Sequence, residues 1–332
     1  MHIAFRCDAD STLGSGHLRR CAVLAQEALD NGAEVSFLMR TDANPLWNSY
    51  VPAGASVAAS TEDNICHELI RWSDKVSPNI LVVDHYDLVH NHAEHIARSG
   101  ARWMMFDNGQ ATTPIHANIV HNALPGITES DYAHRTDRAQ FLLGPAYALL
   151  RPEFRKTNTP AGEGKILAIL FGGGSDRGMI LRTLRAIDGD LSNWERHVFI
   201  TSANTALDEI RAWSSGKPNI VLHIDEPRVA EKLRAATLAI TAVGTTINEL
   251  ACLGVPALGV AIAGNQIPGG KLWDSAGALN FLGEAEHLSD DSLRAGIVAL
   301  ATNGASRANL AATASRLVDG LGASRTFAAL SA

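Results

Sequence analysis

The chain has 332 residues, 46% of them apolar and 19% charged, with a formal net charge of −7. That length suits two domains, each able to bury its own core. The mildly acidic balance argues against a nucleic-acid surface, which would be basic. Cys7, Cys21, Cys66 and Cys252 form no CxxC pair, so neither a zinc knuckle nor a redox motif is expected, and they read as reduced thiols of a cytoplasmic protein. No run approaches the ~18 apolar residues of a membrane helix, so no membrane insertion is expected.

Taken in order, "HIAFR" (2–6) reads as a first strand rather than a signal peptide. Residues 17–31 carry Leu18, Cys21, Leu24, Ala25, Ala28 and Leu29 at helical spacing, and Asn31-Gly32 closes that helix. "AEVSFLM" (33–39) is the next strand. After a less regular stretch, "NILVVD" (79–84) is a continuous apolar run, the pattern of a strand buried on both faces. A helix is predicted over 87–99, ending at Gly100, and "RWMMFD" (102–107) is a further strand.

The second half repeats the scheme. "KILAILF" (165–171), "RHVFIT" (196–201), "TLAIT" (237–241) and "VPALGVAI" (255–262) read as strands. Helices are predicted at 177–188 and 247–254, and alanine-rich helices over 289–330. One of these last is a candidate to cross back to the first domain. Strands alternating with helices specify parallel βαβ units. The expected fold is therefore α/β, with two Rossmann-like doubly wound domains over 1–154 and 163–332. The polar segment 155–164 is the linker candidate.

In such sheets ligands bind beyond the carboxyl ends of the strands. The polar clusters fall there: Asp8 with the Gly14–His17 turn, Asp84-His85-Tyr86, Asp107-Asn108, Gly172–Asp176, Gly244–Thr246 and Asn265-Gln266. Each has a plain structural account, since glycines make turns and Asp or Asn caps helices. Their shared edge is what points to ligand binding.

"FGGGSD" follows a strand and precedes a helix, and its glycine amides can cradle an anion. It is neither a Walker A loop nor GxGxxG. In "AVGTTINELACLGVP", Gly244 admits close approach, and Thr245 and Thr246 offer hydroxyls and amides that suit a diphosphate. Glu249 lies about one turn further along the helix, where a carboxylate can accept both ribose hydroxyls or serve only as a first-turn acid.

His17 has three readings: a plain first-turn residue, a general base, or a donor to a substrate. The field of the helix N-terminus favours its neutral form, which suits base chemistry. "HNHAEH" (90–95) nearly spells a metallohydrolase motif. It falls inside a predicted helix with no later ligand set, so it reads as a solvated helix face, and no metal or cofactor is expected.

"RCDADSTLGSGHLRRC" resembles the R-x-D…G-x-G-H-x-x-R-C opening of the PseG family, the UDP-sugar hydrolases of pseudaminic acid biosynthesis. The likeness continues at "VVDHY", "MFDN", "GPAYALLRPEF", "GGSD", "VGTTINELACLGVP" and "NQ", spanning residues 1 to about 270. The "GTT…E…LG.P" segment is shared with the wider GT-B group, including MurG-type glycosyltransferases.

The resemblance implies a GT-B architecture, two domains across a cleft, with UDP held mainly by the C-terminal domain. It implies that His17 activates water for attack at the anomeric carbon of a UDP-linked 2,4-diacetamido-2,4,6-trideoxyhexose, with C–O cleavage and inversion. Arg6, Asp8, Gly14, Gly16, Asp84, Tyr86, Asn108, Arg151, Asn265 and Gln266 are then substrate-side candidates. Gly173, Gly174, Ser175, Gly244, Thr245, Thr246 and Glu249 are nucleotide-side candidates. Two departures fall near the expected sugar pocket: Asn108, where the family often has an acid, and Pro268-Gly269-Gly270, where a helical run is usual. A GT-B glycosyltransferase with a UDP-sugar donor, or a non-catalytic nucleotide-sugar binding module, remain alternatives. The oligomeric state is left open.

Overall fold

A computed structural model describes residues 1–10, 14–41, 48–108, 113–136, 138–155, 164–172 and 175–332. Most of the linker candidate, together with Gly173 and Gly174, lies outside the described residues. The chain divides into two compact units, Met1–Leu150 with Leu321–Ala332, and Arg151–Gly320. The boundaries read from sequence put Leu321–Ala332 in the second domain; the structure groups that segment with the first.

The first unit holds a seven-stranded sheet in the order β3-β2-β1-β4-β5-β6-β7. The strands are β1 His2–Cys7, β2 Glu34–Met39, β3 Ser56–Ala59, β4 Ile80–Asp84, β5 Trp103–Phe106, β6 Ile119–Asn122 and β7 Gln140–Leu143. All its pairings are parallel. β4 is buried along its whole length, as its continuous apolar run requires. The strand order reverses between β1 and β4, which makes the carboxyl ends of those two strands the topological switch point. Cys7 lies directly opposite Asp84 there.

Helix α1 (Gly16–Asp30) follows β1 and buries Leu18, Cys21, Ala22, Leu24, Ala25 and Ala28. Helix α2 (Ile65–Val76) is capped by Asn64, whose side chain accepts the His67 N–H. The helix predicted over 87–99 is two short ones, α3 (Tyr86–Asn91) and α4 (Ala93–Arg98). They part at His92, which leaves helical geometry at φ −126°. Among the described residues, no group of three or more His, Cys, Asp or Glu could hold a metal ion.

The second unit has a six-stranded parallel sheet ordered β10-β9-β8-β11-β12-β13. Its strands are β8 Ile166–Leu170, β9 Glu195–Ile200, β10 Ile220–Ile224, β11 Leu238–Ala242, β12 Ala257–Ala261 and β13 Asn280–Glu284. The order reverses between β8 and β11. The helices are α5 (Met179–Ala186), α6 (Leu207–Ser214), α7 (Val229–Arg234), α8 (Thr246–Leu253), α9 (Ile267–Ser275), α10 (Asp290–Thr302) and α11 (Gly304–Leu317).

Pro268-Gly269-Gly270 does not interrupt α9. Pro sits in the first turn, where its missing N–H costs nothing. A Cβ on Gly270 would come within 2.5 Å of the Phe281 ring, so glycine lets α9 lie close on β13.

The last helix, α12 (Gly322–Ser331), belongs to the first unit. It buries Ala323, Thr326 and Leu330. Ser324 donates to Glu27 on α1 at 2.7 Å, and Arg325 Nη1 donates to the Ala146 carbonyl at 2.8 Å. A Cβ on Gly322 would run into the Ala148 carbonyl oxygen and would lie 2.5 Å from the Tyr147 carbonyl carbon. Both are backbone atoms with little room to move. Gly322→Ala should therefore lower unfolding free energy by about 1–3 kcal/mol, the usual cost of overpacking. At Gly304, where a Cβ would meet only the tip of Arg307 at 3.7 Å, the same change should leave stability unchanged or slightly higher. Urea midpoints of the two variants check this.

Candidate functional site

The switch point of the first unit gathers two acids and two histidines from β1, β4 and the segments after them. Asp84 ends β4 with its side chain only 3% exposed. Arg20, one turn beyond His17 on α1, clamps it with Nε and Nη2 to the two carboxylate oxygens, both at 2.5 Å. The Arg20 guanidinium also lies over the Phe106 ring, 4.5 Å from its centre. Cys21 Sγ donates to Asp84 Oδ2 at 3.7 Å. Burial opposes ionisation of Asp84, but the charge of Arg20 and its paired hydrogen bonds overcome it and hold the carboxyl below its usual range.

His17 Nδ1 lies 3.3 Å from the Asp84 carbonyl oxygen and 3.5 Å from Asp84 Oδ1. Both atoms are acceptors, so Nδ1 carries the proton and donates, and Nε2 carries the lone pair. The Tyr86 ring meets the imidazole edge-on, with centres 5.0 Å apart. His17 has its affinity for a second proton lowered, as expected, but for a different reason. Burial is the main cause and Arg20 adds to it, while the Asp84 charge opposes both. The helix N-terminus invoked from sequence is not among the leading causes.

A second imidazole–carboxylate pair crosses the first. Asp8, just after β1, accepts from His85 Nε2 at 3.2 Å, from the Arg40 N–H at 2.7 Å and from both terminal nitrogens of Arg6. Burial opposes ionisation of Asp8 as well. His85 and Arg6 outweigh it and keep the carboxyl far below the usual range. His85 Nδ1 accepts the Leu88 N–H at 3.4 Å as the cap of α3. Both nitrogens of His85 are engaged, so it is a structural histidine, whereas His17 keeps a lone pair. Arg6 is wholly buried, donates also to Ser60 Oγ at 3.4 Å, and touches the site through Asp8.

The two glycines lie on either side of Ser15, where the chain enters α1. Gly14 sits at φ 81° and donates to the Asp10 carbonyl at 2.8 Å, and Gly16 opens α1. Tyr86 is exposed at the start of α3, and Asn108 is half-buried after β5. Beside it, Asp107 accepts from Tyr132 Oη at 2.7 Å and lies 3.5 Å from Arg135 Nη1. Tyr132 in turn accepts from Asn122 Nδ2 at 2.8 Å. This buried bracket ties β5 and β6 to the segment 128–136.

In the second unit, Gly173 and Gly174 fall outside the described residues. Ser175 is exposed, and its Oγ accepts the Arg177 N–H at 3.3 Å. Asp176 is buried and accepts the Ile180 N–H at 2.9 Å, which anchors the start of α5. Gly244, exposed, and Thr245 and Thr246, half-buried, form the start of α8 after β11. The first N–H groups of a helix have no partner within it, so this turn presents donors at the second switch point.

Glu249 lies in the first turn of α8, 3.7 Å from Arg151 Nη2. Arg151 also pairs with Glu153 at 2.8 Å and lies over the Phe154 ring. The structure thus groups Arg151 with the nucleotide-side candidates. Asn265 and Gln266 form a 3₁₀ turn, Gly264–Gln266, after β12. Gln266 Oε1 accepts the Ile262 N–H at 2.9 Å.

Sequence reasoning placed His85 and Asp107 in the strand-end clusters without giving either a role, and it did not single out Arg20, Tyr132 or Arg135. Arg20 had a signal, since it stands one helical turn from His17 on the same face. The bracket had none, because its members are far apart in the chain.

These two sheets, with two switch points, are those of the GT-B fold. Three solved structures share it across the chain. MurG of Acinetobacter baumannii is 13% identical with a TM-score of 0.68, covering 99% of both chains. The spinosyn rhamnosyltransferase SpnG, complexed with thymidine diphosphate, is 16% identical with a TM-score of 0.71, covering 99% of this chain and 100% of that one. A UDP-N-acetylglucosamine 2-epimerase-like protein of Listeria monocytogenes is 15% identical with a TM-score of 0.69, covering 99% and 95%.

No protein-family model matches the chain. Among characterised sequences, the UDP-2,4-diacetamido-2,4,6-trideoxy-beta-L-altropyranose hydrolase of Campylobacter jejuni is 25% identical over 252 residues, 75% of this chain and 87% of that protein. The spore coat polysaccharide biosynthesis protein SpsG of Bacillus subtilis is 23% identical over 344 residues, 99% of this chain and 98% of that protein. An uncharacterised protein of Methanocaldococcus jannaschii is 25% identical over 270 residues, 77% of this chain. The chain spans about half of that last protein's length, 54%.

The site carries a pH signature in stability. Burial lowers the His121 pKa to about 4, against which its bond to the Tyr147 carbonyl works only in part. The unfolded state takes up its proton near pH 6.5 and the folded state does not. Stability is therefore independent of this group above about pH 6.5. It falls as pH drops from there towards 4, by up to about 1.4 kcal/mol per pH unit for each such histidine. Asp8 stays ionised throughout that window. Urea unfolding at pH 7.5, 6 and 5 should show the decline, and His121→Gln should reduce its slope.

Proposed function

We propose that the protein is a nucleotide-sugar hydrolase that releases UDP from a UDP-linked 2,4-diacetamido-2,4,6-trideoxyhexose. The observation that carries this reading is His17: Nδ1 donates towards Asp84, and Nε2 keeps its lone pair at the switch point of the first sheet. The likeness to the Campylobacter jejuni hydrolase supports the substrate class.

In the proposed reaction Nε2 takes a proton from water as the water oxygen bonds to the anomeric carbon. The bond from that carbon to the diphosphate oxygen breaks, and UDP leaves with the electron pair, inverting the sugar. A diphosphate is a good leaving group once donors hold its charge, so no acid on its side is required. The opening turn of α8 with Thr245 and Thr246, together with Gly173, Gly174 and Ser175, are the proposed donors. Glu249 would accept the ribose hydroxyls, with Arg151 beside it. In the first unit Asp8, Asp84, Tyr86 and Asn108 are the proposed sugar-side groups, Asp8 and Asp84 acting through the histidines they hold; in the second unit Asn265 and Gln266 are proposed substrate-binding groups. The reading places the protein in pseudaminic-acid-type sugar biosynthesis in the cytoplasm.

The test is UDP release from UDP-sugars with no acceptor present. His17→Ala should lower it by about 10²–10⁴-fold, the usual worth of a positioned base. In ¹⁸O water the label should enter the sugar; label in UDP would mean P–O cleavage and overturn the mechanism. Release only with an acceptor would make the protein a glycosyltransferase. Tight UDP binding without turnover on a broad panel would make it a binding module.

Separately, Glu249→Gln should weaken UDP binding about tenfold or more, since it removes a charged acceptor. Calorimetric titration with UDP checks this.

A further inference from the structure

We propose that Arg20 is a positioning residue that sets both the aim and the basicity of His17 through Asp84, which it clamps with two hydrogen bonds. The inference rests on the reading of His17 as the base.

The argument starts from a mismatch. A histidine that donates to an ionised carboxylate ordinarily becomes a stronger base, because the negative charge favours the imidazolium. His17 has such a partner, yet its basicity is lowered. Burial is the first cause. The second lies in how the Asp84 charge is shared. Both carboxylate oxygens are taken by Arg20 at 2.5 Å, far closer than the 3.5 Å separating Oδ1 from His17 Nδ1. The guanidinium thus works against the field that Asp84 exerts on the imidazole, and it repels the imidazolium itself.

The same fork fixes direction. A carboxylate held at two points by a planar partner cannot rotate freely. Its remaining lone pairs and its own carbonyl then define where Nδ1–H must point, and so where Nε2 points. Arg20 is itself pinned by the Phe106 face.

Other charged or titratable groups around this pair are few. His85 acts on His17 from the residue after Asp84, and Tyr86 meets its ring edge. Cys21 touches Asp84 and hydrogen-bonds with Cys7, and both thiols are buried. His121 sits in the fields of Arg20 and Asp84 and is neutral above about pH 4. None of these holds Asp84 at two points as the Arg20 fork does.

Three variants test the proposal: Arg20→Gln, Arg20→Lys, and Arg20→Gln combined with Asp84→Asn. The readouts are the His17 imidazole titration by NMR and the acidic limb of the pH profile of UDP release. In Arg20→Gln the His17 titration and the acidic limb should both move up by about one pH unit or more. Activity should then fall more at pH 6 than at pH 8.5. In the double variant, which leaves no orphan charge, the upward shift should disappear while kcat stays low, because the aim is lost. Arg20→Lys should keep the titration near wild type and lose kcat, since a single ammonium restores charge but not the fork.

An Arg20→Gln protein that loses activity equally at all pH values, with His17 titrating as in wild type, would overturn the proposal. So would an upward shift that persists in the double variant. If no nucleotide sugar is hydrolysed by the wild type, the reading of function fails. The NMR titrations then still decide whether Arg20 tunes His17.

Discussion

The arrangement of the first unit turns on one buried charge, the Asp84 carboxylate at the end of β4. A carboxylate taken out of water costs several kcal/mol unless close partners replace its hydration. Here one partner is the Arg20 fork and another is His17, and α1 carries both. The charge therefore dictates how α1 sits: His17 and Arg20 must reach Asp84 while Leu18, Cys21 and Leu24 enter the core beneath. A rotation of α1 would break the ion pair and expose apolar surface together. Packing and electrostatics agree on one position, which is how a switch point becomes a rigid platform.

Asp8 answers Asp84 across the β1–β4 pair. Each strand end supplies the acid that holds the histidine following the other strand: Asp84 faces His17, and Asp8 faces His85. The two pairs look equivalent by composition and differ in hydrogen bonding. His85 gives one nitrogen to Asp8 and accepts an amide with the other, so it has no lone pair to offer. Among the described residues, His17 meets acceptors only at Nδ1. Residue type and location alone cannot separate a base from a brace. The partners of the second nitrogen do.

Much of this was legible in the sequence for one physical reason: parallel strands buried on both faces leave continuous apolar runs. "NILVVD" and "KILAILF" therefore located the central strands and the polar residues at their ends. The edge strands β3 and β10 were missed because they are partly exposed, so "SVAA" and "IVLHI" lack that signature. The 87–99 helix was read as continuous because periodicity does not register a local departure at His92. Pro268-Gly269-Gly270 looked like a breaker, yet Pro is tolerated in a first turn, and Gly270 serves the contact with Phe281. His17 stood out through its turn. Arg20, one turn on, looked like any helix arginine until the structure brought Asp84 from β4 to meet it. Long-range pairs of that kind, like Asp107 with Tyr132 and Arg135, leave no local mark.

A weakened base fits the chemistry proposed for the site. Attack by water at an anomeric carbon with a diphosphate leaving group places most of its demand on the departing charge. The carbon becomes electron-poor as the bond to oxygen stretches, so the nucleophile needs little activation before that point. A strongly basic histidine would be protonated through much of the neutral range and so removed from service. A histidine kept neutral by burial and by a neighbouring guanidinium is ready at every encounter and accepts the proton late, as the new C–O bond forms. The proposed division of labour follows from that asymmetry: helix-start amides for the charge that leaves, and one aimed imidazole for the proton that must be taken up.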